Sequence, residues 1–465
     1  MAFTARPTRT LLARRGYYVS KTSYVAPRSR TSHVAAAANS FSTGRPNYED
    51  FIKPHAMRRE ASPIRALTPL LKLPGMISLG GGLPNASLFP FKSLEFEVDD
   101  GKRLSLTESE LRDALQYSNT PGMAPMLEFL EGLQEREHEK KKSEDWSVCV
   151  TTGSQEALSK AVDMLVGPED TVLVDDPTYA GTLALMRPIG CNLMGVRCDG
   201  EGMVPEDLEK ALETCKSNGV RPRVLYTVPT GQNPSGSTAS DARKEKIYKI
   251  ACEWDLIVLE DDPYRFLLYG QDPYPKSVES WKRPPSKSMF QMDDQGRVIR
   301  FDSLSKILSS GLRIGFATGP KELIDRINLH TQASNLHPSG VSQALCAKLF
   351  EHWGYDGFEH HVNKVALYYM KRRDTFEAIA KKYLSSHAEW TTPSAGMFVW
   401  FRLPNVEDTQ DLIQNKARDA NVLLLPGQAF SPSNTKSQYV RAAFSTASAE
   451  DMEEALIRFA KLLES

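Results

Sequence analysis

Short apolar runs alternate with helical patterns along the chain from about Trp146 onward. The predicted strands are Val148–Thr151, Thr171–Val174, Asn192–Arg197, Val224–Val228, Leu256–Glu260, Val298–Asp302 and Ile314–Thr318. The predicted helices between them are Gln155–Leu165, Thr182–Arg187, Pro205–Cys215 and Ala239–Glu253. This alternation predicts an α/β fold, with a mainly parallel sheet covered by helices on both faces. Ligands of such sheets bind beyond the carboxyl ends of the strands, so ligand-binding and catalytic residues are expected there.

The pattern changes after about Gly340. A long helical region runs to about Leu384, and a closing helix begins near Ala449. The strands predicted between them are Met397–Arg402, Val422–Leu425 and Tyr439–Ala443. We therefore predict a large domain at residues 76–340 and a smaller α+β domain at residues 341–465. Residues 271–297, which are rich in Pro, Ser and Lys, are predicted to form a surface loop.

The amino-terminal part of the chain is strongly basic. Residues 1–48 contain eight basic residues and no acidic residue, although the whole chain has a net charge of -1. Residues 1–45 fit a cleavable mitochondrial transit peptide, rich in Arg and Ser and poor in acids. A disordered basic tail is the alternative interpretation. The first interpretation predicts a location in the mitochondrial matrix, whereas the same body with another leader would be cytoplasmic.

Composition also argues against several classes of protein. The chain beyond the basic segment is acidic overall, which argues against nucleic-acid binding through neutralisation of phosphates. No apolar run approaches the ~20 residues needed to cross a bilayer, so an integral membrane protein is not expected. The spacing of the cysteines and histidines does not indicate a metal site.

One lysine follows a predicted strand in a loop of small residues. Lys306 lies in SLSKILSSGLR, a segment that also contains Ser303, Ser305 and Arg313. Backbone N–H groups of such a loop, together with these three side chains, are suited to holding a phosphate group. A lysine beside a phosphate site suggests covalent attachment to a phosphorylated aldehyde, for which the amine must first lose its proton. A Ser-Lys pair taken alone is more often a surface feature.

Two further strand ends carry groups that suit a hydroxylated pyridine ring. In EDDPY, Asp261 can pair with a pyridine nitrogen while Tyr264 meets the phenolic oxygen of the same ring. In PTGQNPSG, Asn233 precedes a proline, which favours extended geometry, and its amide can reach the same oxygen. The alternatives are a helix-capping acidic cluster in the first motif and a plain turn in the second.

Three more features fall at strand ends or inside a strand. Ser154 and Gln155 open a predicted helix, whose N–H groups and dipole attract anions; an N-capping serine is the alternative. Tyr179 in DDPTY can stack on a flat cofactor, or it is a partly buried tyrosine at the rim. Arg441 in YVRAAFS has apolar neighbours and needs a carboxylate partner. That partner is either a substrate or a distant acid of the same chain.

Together these motifs resemble the fold-type I, pyridoxal-phosphate-dependent class I/II aminotransferases. The likeness is greatest to the mitochondrial kynurenine/α-aminoadipate aminotransferase and fungal aromatic aminotransferase group. It runs from about Asn47 to the carboxyl terminus and also includes SPIRALT, MISLGGGLPN, ALQYS, AGMFVWF and LLLPGQAF. The resemblance implies pyridoxal 5′-phosphate as cofactor. It also implies transfer of an amino group from an aromatic amino acid, kynurenine or 2-aminoadipate to a 2-oxo acid such as 2-oxoglutarate, by a ping-pong mechanism.

The resemblance assigns a role to each candidate side chain. Lys306 bonds the cofactor and moves the substrate proton, while Asp261 pairs with the pyridine nitrogen. Tyr264 and Asn233 contact the phenolic oxygen, and Tyr179 stacks on the ring. The residues assigned to the phosphate are Ser154, Gln155, Ser303, Ser305 and Arg313.

For the substrate, the resemblance implies contacts from Arg65, Gly81, Tyr117, Tyr179, Asn233 and Arg441. Arg441 binds the α-carboxylate, and Gly81 lies beside the substrate side chain. Arg65 lies in a lid segment, residues 46–75. Tyr117 reaches the site of a neighbouring subunit, which implies a homodimer.

Two other functions stay open on the same fold. A β-lyase or an amino-acid decarboxylase uses the same cofactor, and sequence separates these reactions poorly. A non-enzymatic ligand sensor carries an aminotransferase-like domain behind a winged-helix domain, and residues 1–46 show no such helical pattern.

Overall fold

The computed structural model describes residues 44–66, 73–77, 79–80, 82–278 and 280–464. The chain from Phe41 to Ser465 forms one unit. The predicted transit peptide lies almost wholly outside the described residues, and so does Gly81. The predicted boundary between residues 340 and 341 stays a prediction.

The strands of the described residues fall into three sheets. In chain order they are β1 (Glu95–Glu97), β2 (Arg103–Ser105), β3 (Trp146–Thr151), β4 (Thr171–Asp176), β5 (Asn192–Asp199), β6 (Gly202–Met203), β7 (Val224–Thr227), β8 (Ile257–Asp261), β9 (Val298–Ser303), β10 (Gly315–Pro320), β11 (Phe398–Arg402), β12 (Leu425–Pro426) and β13 (Tyr439–Ala443). The large sheet has the order β3-β10-β9-β8-β7-β4-β5-β6, and β1 pairs with β2. The third sheet is antiparallel, in the order β11-β13-β12.

Helices surround these sheets. In chain order they are α1 (Pro54–Met57), α2 (Pro63–Ala66), α3 (Glu108–Leu115), α4 (Ala124–His138), α5 (Ser154–Leu165), α6 (Ala180–Met186), α7 (Pro205–Ser217), α8 (Asp241–Glu253), α9 (Met289–Met292), α10 (Lys321–Ser334), α11 (Gly340–Leu384), α12 (Thr409–Asp411) and α13 (Ala449–Glu464). The long helix α11 has a kink at Gly354, where φ is 58°. None of these helices combines the length and apolarity that a bilayer span requires.

The prediction of a mainly parallel sheet is confirmed. Strands β5, β4, β7, β8 and β9 run parallel to one another. Every residue of β7, β8, β9 and β10 is buried, as expected for strands that helices cover on both faces. The connection from β9 to β10 contains the single helical turn Ser310–Leu312 rather than a crossover helix. Strand β10 therefore returns antiparallel, and Lys306 lies in this connection.

Two local predictions were wrong. Residues 271–297 are not wholly a surface loop, because α9 lies there and Met289 and Phe290 are buried. Glu260 holds this turn, since its carboxylate accepts the N–H groups of both residues at 2.8 and 3.1 Å. The strand predicted at Val422–Leu425 is reduced to the two residues of β12. Only Leu425 and Pro426 pair with β13, whereas the N–H of Val422 is bonded to the carbonyl oxygen of Ala417 at 2.8 Å at the end of the preceding helical turn.

The segment before the large sheet is packed onto it. Tyr48, Phe51 and Ile52 are buried in the main core. Arg326 on α10 donates to the carbonyl oxygens of Ala56, Met57 and Arg59 at 3.1–3.4 Å, which satisfies the end of α1. The amino-terminal segment is thereby fixed to α10 just before α2, whose backbone includes Arg65.

Candidate active site

Ten predicted side chains meet in one cavity at the carboxyl ends of the strands. The cavity has a volume of about 210 Å³. Its walls are Ser154, Gln155, Tyr179, Val228, Asn233, Asp261, Pro263, Tyr264, Ser303, Ser305, Lys306 and Arg313. All ten residues that the sequence suggested for a cofactor are in this wall. They come together because β3, β4, β7, β8 and β9 end at the same edge of the sheet.

Lys306 is a half-buried residue of the cavity rather than a surface lysine. Burial, and next the positive charge of Arg313, lower the pKa of its ammonium group. A lower pKa increases the fraction of uncharged amine at neutral pH, and this is the form that attacks a carbonyl carbon. The peptide after Lys306 is held in place, because His361 Nε2 lies 2.6 Å from the carbonyl oxygen of Ile307.

Asp261 ends β8 with one satisfied and one unsatisfied carboxylate oxygen. Its Oδ2 accepts a hydrogen bond of 2.8 Å from the Tyr226 hydroxyl on the neighbouring strand β7. Its Oδ1 is buried and has no hydrogen-bond partner among the described residues. Burial raises the pKa of Asp261 to about 7, against the opposing hydrogen bond from Tyr226. A buried carboxylate oxygen of this kind is costly unless a donor meets it, so the cavity is suited to a ligand with a cationic N–H group.

A buried ionic cluster joins β8 to β9 on the face opposite Asp261. Arg300 is fully buried and forms a two-pronged pair with Asp302, at 2.9 and 2.7 Å. Its Nη1 also meets Asp262 at 2.9 Å and Glu260 at 3.3 Å. Because Glu260 and Arg300 are register partners in adjacent parallel strands, the cluster ties together the two strand ends that carry Asp261 and the lysine loop.

The opposite end of the cavity is rich in N–H groups and positive charge. Ser154 is the first residue of α5, and the capping position is held by Gly153, without a side-chain hydrogen bond. The serine is therefore not an N-cap, and the first N–H groups of α5 are available to an anion. Arg313 Nη1 donates to the Ser305 hydroxyl at 3.2 Å. A Cβ atom at Gly153 would collide with the Arg313 guanidinium, and one at Gly315 would collide with the backbone of Ser154.

Tyr179 is half-buried in the cavity wall immediately before α6. Its ring occupies space that only a glycine leaves open, since a Cβ atom at Gly181 would lie 2.5 Å from two ring carbons. Burial raises the pKa of the Tyr179 hydroxyl, and the charge of Asp261 adds to this effect. The tyrosine therefore stays neutral and presents an aromatic surface to the cavity.

Arg441, on β13 of the small sheet, reaches the rim of the cavity. Its Nη1 donates to Oδ1 of Asn233 at 2.7 Å. Among the described residues, no carboxylate lies within salt-bridge distance of its guanidinium group, so an internal ion pair does not explain it. Burial lowers the pKa of Arg441, and the hydroxyls of Tyr264 and Tyr179 oppose that shift. The arginine is therefore a partly desolvated cation that suits an external carboxylate.

Of the other substrate candidates, the described residues fix the side chain of Tyr117 and the backbone of Arg65. Tyr117 lies outside the cavity wall, is 51% exposed, and has its ring edge-on to His337 at 6.0 Å. The backbone of Arg65 belongs to α2. Gly81 lies outside the described residues.

Sequence reasoning missed several residues around the cavity. Val228 and Pro263 form part of its wall, and Tyr226 and Gly181 support Asp261 and Tyr179. Arg300 had a usable signal, because a charge inside an otherwise apolar strand requires a buried partner. Tyr226 and Gly181 had no such signal, since their roles depend on neighbours distant in sequence or on free space.

The fold and cavity define an enzyme site for a phosphorylated aromatic aldehyde with a ring nitrogen. Bovine mitochondrial kynurenine/alpha-aminoadipate aminotransferase is 41% identical over 432 residues, covering 90% of this chain and 99% of that protein. The structure of Candida albicans aminotransferase Aro8 matches with a TM-score of 0.81 at 25% identity, covering 90% of this chain and 98% of that one. Pyrococcus horikoshii kynurenine aminotransferase, solved with PMP, matches with a TM-score of 0.68 at 30% identity, with coverage of 90% and 98%.

Residues 93–459 match the family described as aminotransferase class I and II, and the chain belongs to this family. It is therefore a pyridoxal-phosphate-dependent aminotransferase. The described residues fit that cofactor. The unsatisfied Oδ1 of Asp261 suits its ring nitrogen, the N–H-rich end beside Arg313 suits its phosphate, and the Lys306 amine in the same wall suits its aldehyde.

Proposed function

We propose that this aminotransferase moves the amino group of an aromatic amino acid, kynurenine or 2-aminoadipate to a 2-oxo acid such as 2-oxoglutarate. The observation that carries the proposal is Arg441, a partly desolvated arginine at the cavity rim without a carboxylate partner among the described residues. The side-chain preference rests on relatives, which include mammalian kynurenine/alpha-aminoadipate aminotransferases and a fission yeast aromatic amino acid aminotransferase.

The residues of the cavity wall divide the work of holding the cofactor. Asp261 keeps the ring nitrogen protonated, Tyr264 and Asn233 contact the phenolic oxygen, and Tyr179 covers one face of the ring. The phosphate is held by Ser154, Gln155, Ser303, Ser305 and Arg313. When bound, pyridoxal phosphate supplies an electron sink for the charge that develops at the substrate Cα.

Lys306 serves as the general base and acid of the reaction. Its amine must be uncharged to take the proton from the substrate Cα, and burial beside Arg313 favours that state. With the cofactor bound, the resulting ammonium group would also be the proton donor of the second proton transfer, so one side chain would serve both. In the reverse half-reaction a 2-oxo acid enters and Lys306 moves the proton in the opposite direction, which gives ping-pong kinetics.

The amino acid is oriented from its carboxylate end. Arg441 offers the α-carboxylate a charge-assisted hydrogen-bonding edge, next to Asn233. Tyr179 lies beside the same space. Arg65 and Gly81 of the amino-terminal region are proposed to contact the substrate side chain. Residues 46–75 are proposed as the lid segment, anchored at its start by the buried Tyr48 and by the contacts of Arg326 with the end of α1. Residues 76–340 and 341–465 are proposed to be the large and small domains.

We propose that the enzyme is a homodimer in which Tyr117 reaches the neighbouring site. Support comes from the apolar side chains around Tyr117: the surface depression that Tyr117 lines is also lined by Phe89, Leu115 and Val341, and Leu88, next to Phe89 in the chain, is 80% exposed. Exposed apolar groups of this size in one region are typical of a surface that another chain covers. Sedimentation equilibrium measures the state directly, and a monomer at micromolar concentration would exclude this arrangement.

We propose that residues 1–45 direct the protein to the mitochondrial matrix. The support is their acid-free, Arg-rich composition and the mitochondrial designation of the bovine, rat and mouse relatives. Expression of the chain with and without residues 1–45, each fused to a fluorescent protein, tests this. Equal cytosolic signal from both fusions would contradict it.

The substrate proposal is tested on the purified protein by its visible absorption. Tryptophan, kynurenine or 2-aminoadipate should remove the band of the lysine-bound cofactor, and 2-oxoglutarate should restore it. Lys306→Ala should abolish the band, and Arg441→Met should weaken the response to every amino acid. A band that is unchanged by tryptophan, kynurenine and 2-aminoadipate would refute the substrate assignment. Formation of product without equal exchange of 2-oxo acid would indicate a lyase or decarboxylase instead.

A further inference from the structure

Arg441 projects from a face of the small sheet that is lined by aromatic rings. It is the register partner of Trp400, and Phe398 lies two residues along the same strand β11. Side chains two residues apart share one face of a strand, so Phe398, Trp400 and Arg441 lie on the same side of the sheet. The intervening residues Val399 and Phe401 lie on the other side and are fully buried.

Two of the aromatic rings of this region contact the guanidinium directly. Its Cζ lies over the ring of Phe398, 4.4 Å from the centroid, and over the ring of Phe430, 5.2 Å from the centroid. Its Nη1 is already committed to Asn233. The two ring faces and this hydrogen bond therefore leave the remaining N–H edge as the one on which an incoming carboxylate can dock.

Aromatic ring faces can stabilise the buried charge of Arg441 and still leave it able to bind a substrate, which an internal carboxylate could not do. Burial disfavours the charge of Arg441, and an internal Asp or Glu would offset this cost but would also occupy the docking edge. Cation–π contacts stabilise the charge without neutralising it and without using an N–H group. They also exclude water from beside the ion pair, which strengthens its attraction for a substrate.

Phe398 and Phe430 are themselves held in place by contacts with residues of, or next to, the cavity wall. Phe398 packs edge-on against Tyr264, with centroids 5.8 Å apart. Phe430 packs edge-on against Trp400 at 5.5 Å, and its carbonyl oxygen accepts the N–H of Thr178 at 2.9 Å, one residue before Tyr179. The guanidinium is thus placed relative to the same elements that place the cofactor.

We propose that Phe398 and Phe430 are positioning residues that hold Arg441 against their ring faces and so determine the affinity of the enzyme for the carboxylate of its substrates. This inference rests on the proposed role of Arg441. It requires that loss of either ring weakens the binding of ligands that carry an α-carboxylate and spares ligands that lack one. Removal of one desolvated cation–π contact is expected to cost about tenfold in affinity.

The test uses the holoenzyme and two probes, both followed by the cofactor absorbance. α-Methyltryptophan keeps the carboxylate but lacks the proton that Lys306 removes, so it binds without turnover. Tryptamine lacks the carboxylate. Phe398→Leu and Phe430→Leu should each raise the Kd for α-methyltryptophan about tenfold, with the Kd for tryptamine and for pyridoxal phosphate unchanged within about twofold. Phe398→Tyr keeps the ring face and should restore most of the affinity.

Phe401→Leu is the matched control, since it removes the same atoms from the same strand. Its ring packs on Trp390 and Phe376 instead, at 5.1 and 6.1 Å. If Phe398→Leu and Phe430→Leu have the same Kd for α-methyltryptophan as Phe401→Leu, while Arg441→Met no longer binds it, the positioning role is wrong. The role of Arg441 in binding the carboxylate then stands. If Arg441→Met also binds normally, the proposed carboxylate site fails as well. Thermal unfolding of each variant identifies one that has failed to fold, and the other ring variant then decides.

Discussion

Replacement of Tyr226 by Phe removes the hydrogen-bond donor to Oδ2 of Asp261 and leaves the ring in place. A hydrogen bond to a charged group contributes about 1.5–3 kcal/mol, and one pKa unit corresponds to about 1.4 kcal/mol. The pKa of Asp261, which burial already raises to about 7, is therefore expected to rise by roughly one to two further units.

This shift predicts a pH-dependent loss of cofactor affinity. The ionised Asp261 carboxylate is the form that pairs with the protonated ring nitrogen, so affinity falls as pH drops below the pKa. In Tyr226→Phe the fall begins at a higher pH. We expect the variant to bind pyridoxal phosphate roughly 10- to 100-fold more weakly than the wild type below pH 7. Above about pH 9 the Asp261 carboxyl is ionised in both proteins, so their affinities should become equal.

The assay is titration of the apoenzyme with pyridoxal phosphate between pH 6 and pH 9, with thermal unfolding of the apoenzyme alongside. Tyr248→Phe is the control, because its hydroxyl also donates to a buried carboxylate, that of Asp293 at 2.8 Å, away from the cavity. It should leave the affinity unchanged. An equal loss at every pH, or no loss, would show that Tyr226 does not govern the ionisation of Asp261.

Three further substitutions test the supports of the cavity. Gly181→Ala should displace the Tyr179 ring, since the new Cβ would lie 2.5 Å from it, and so weaken pyridoxal phosphate binding; unchanged affinity would contradict this. Gly315→Ala places a Cβ against backbone atoms of Ser154 and Gly153 that cannot rotate away. It should reduce stability to urea by about 1–3 kcal/mol, and wild-type stability would refute the clash. Arg300→Met leaves three buried carboxylates without their cation and should cost about 3–5 kcal/mol. A loss below about 1 kcal/mol in urea unfolding would show that the cluster is not needed.

Much of the large sheet was predictable because its strands are short apolar runs between helices. The predicted strand Val298–Asp302 differs from β9 by a single residue, and Leu256–Glu260 is shifted by one from β8. The errors occur where burial depends on a distant contact. Residues around Met289 look polar and loop-like in sequence. The Glu260 carboxylate nevertheless accepts the N–H groups of Met289 and Phe290, which allows both residues to be buried.

The candidate cavity was predictable for a related reason. Chain direction in a parallel sheet places successive strand ends at one edge, so the order of the motifs already implies that Asp261, Asn233 and Lys306 converge. The resemblance to a known family then supplied the roles of these residues. Neither strand order nor the resemblance could predict the roles of Tyr226 and Gly181. The hydrogen bond from Tyr226 to Asp261 and the space that Gly181 leaves for the Tyr179 ring exist only once the interior is packed.

The sequence by itself thus determined the sheet and the side chains that gather at its edge, because both follow from local periodicity and strand order. Only the tertiary structure decided the state of those side chains. Among the described residues it leaves one oxygen of Asp261 without a donor, lowers the pKa of Lys306 and places Arg441 over the faces of two rings. The physical reason is that hydrogen bonding, desolvation and cation–π contact depend on the distances between groups far apart in the chain, which composition and spacing do not contain.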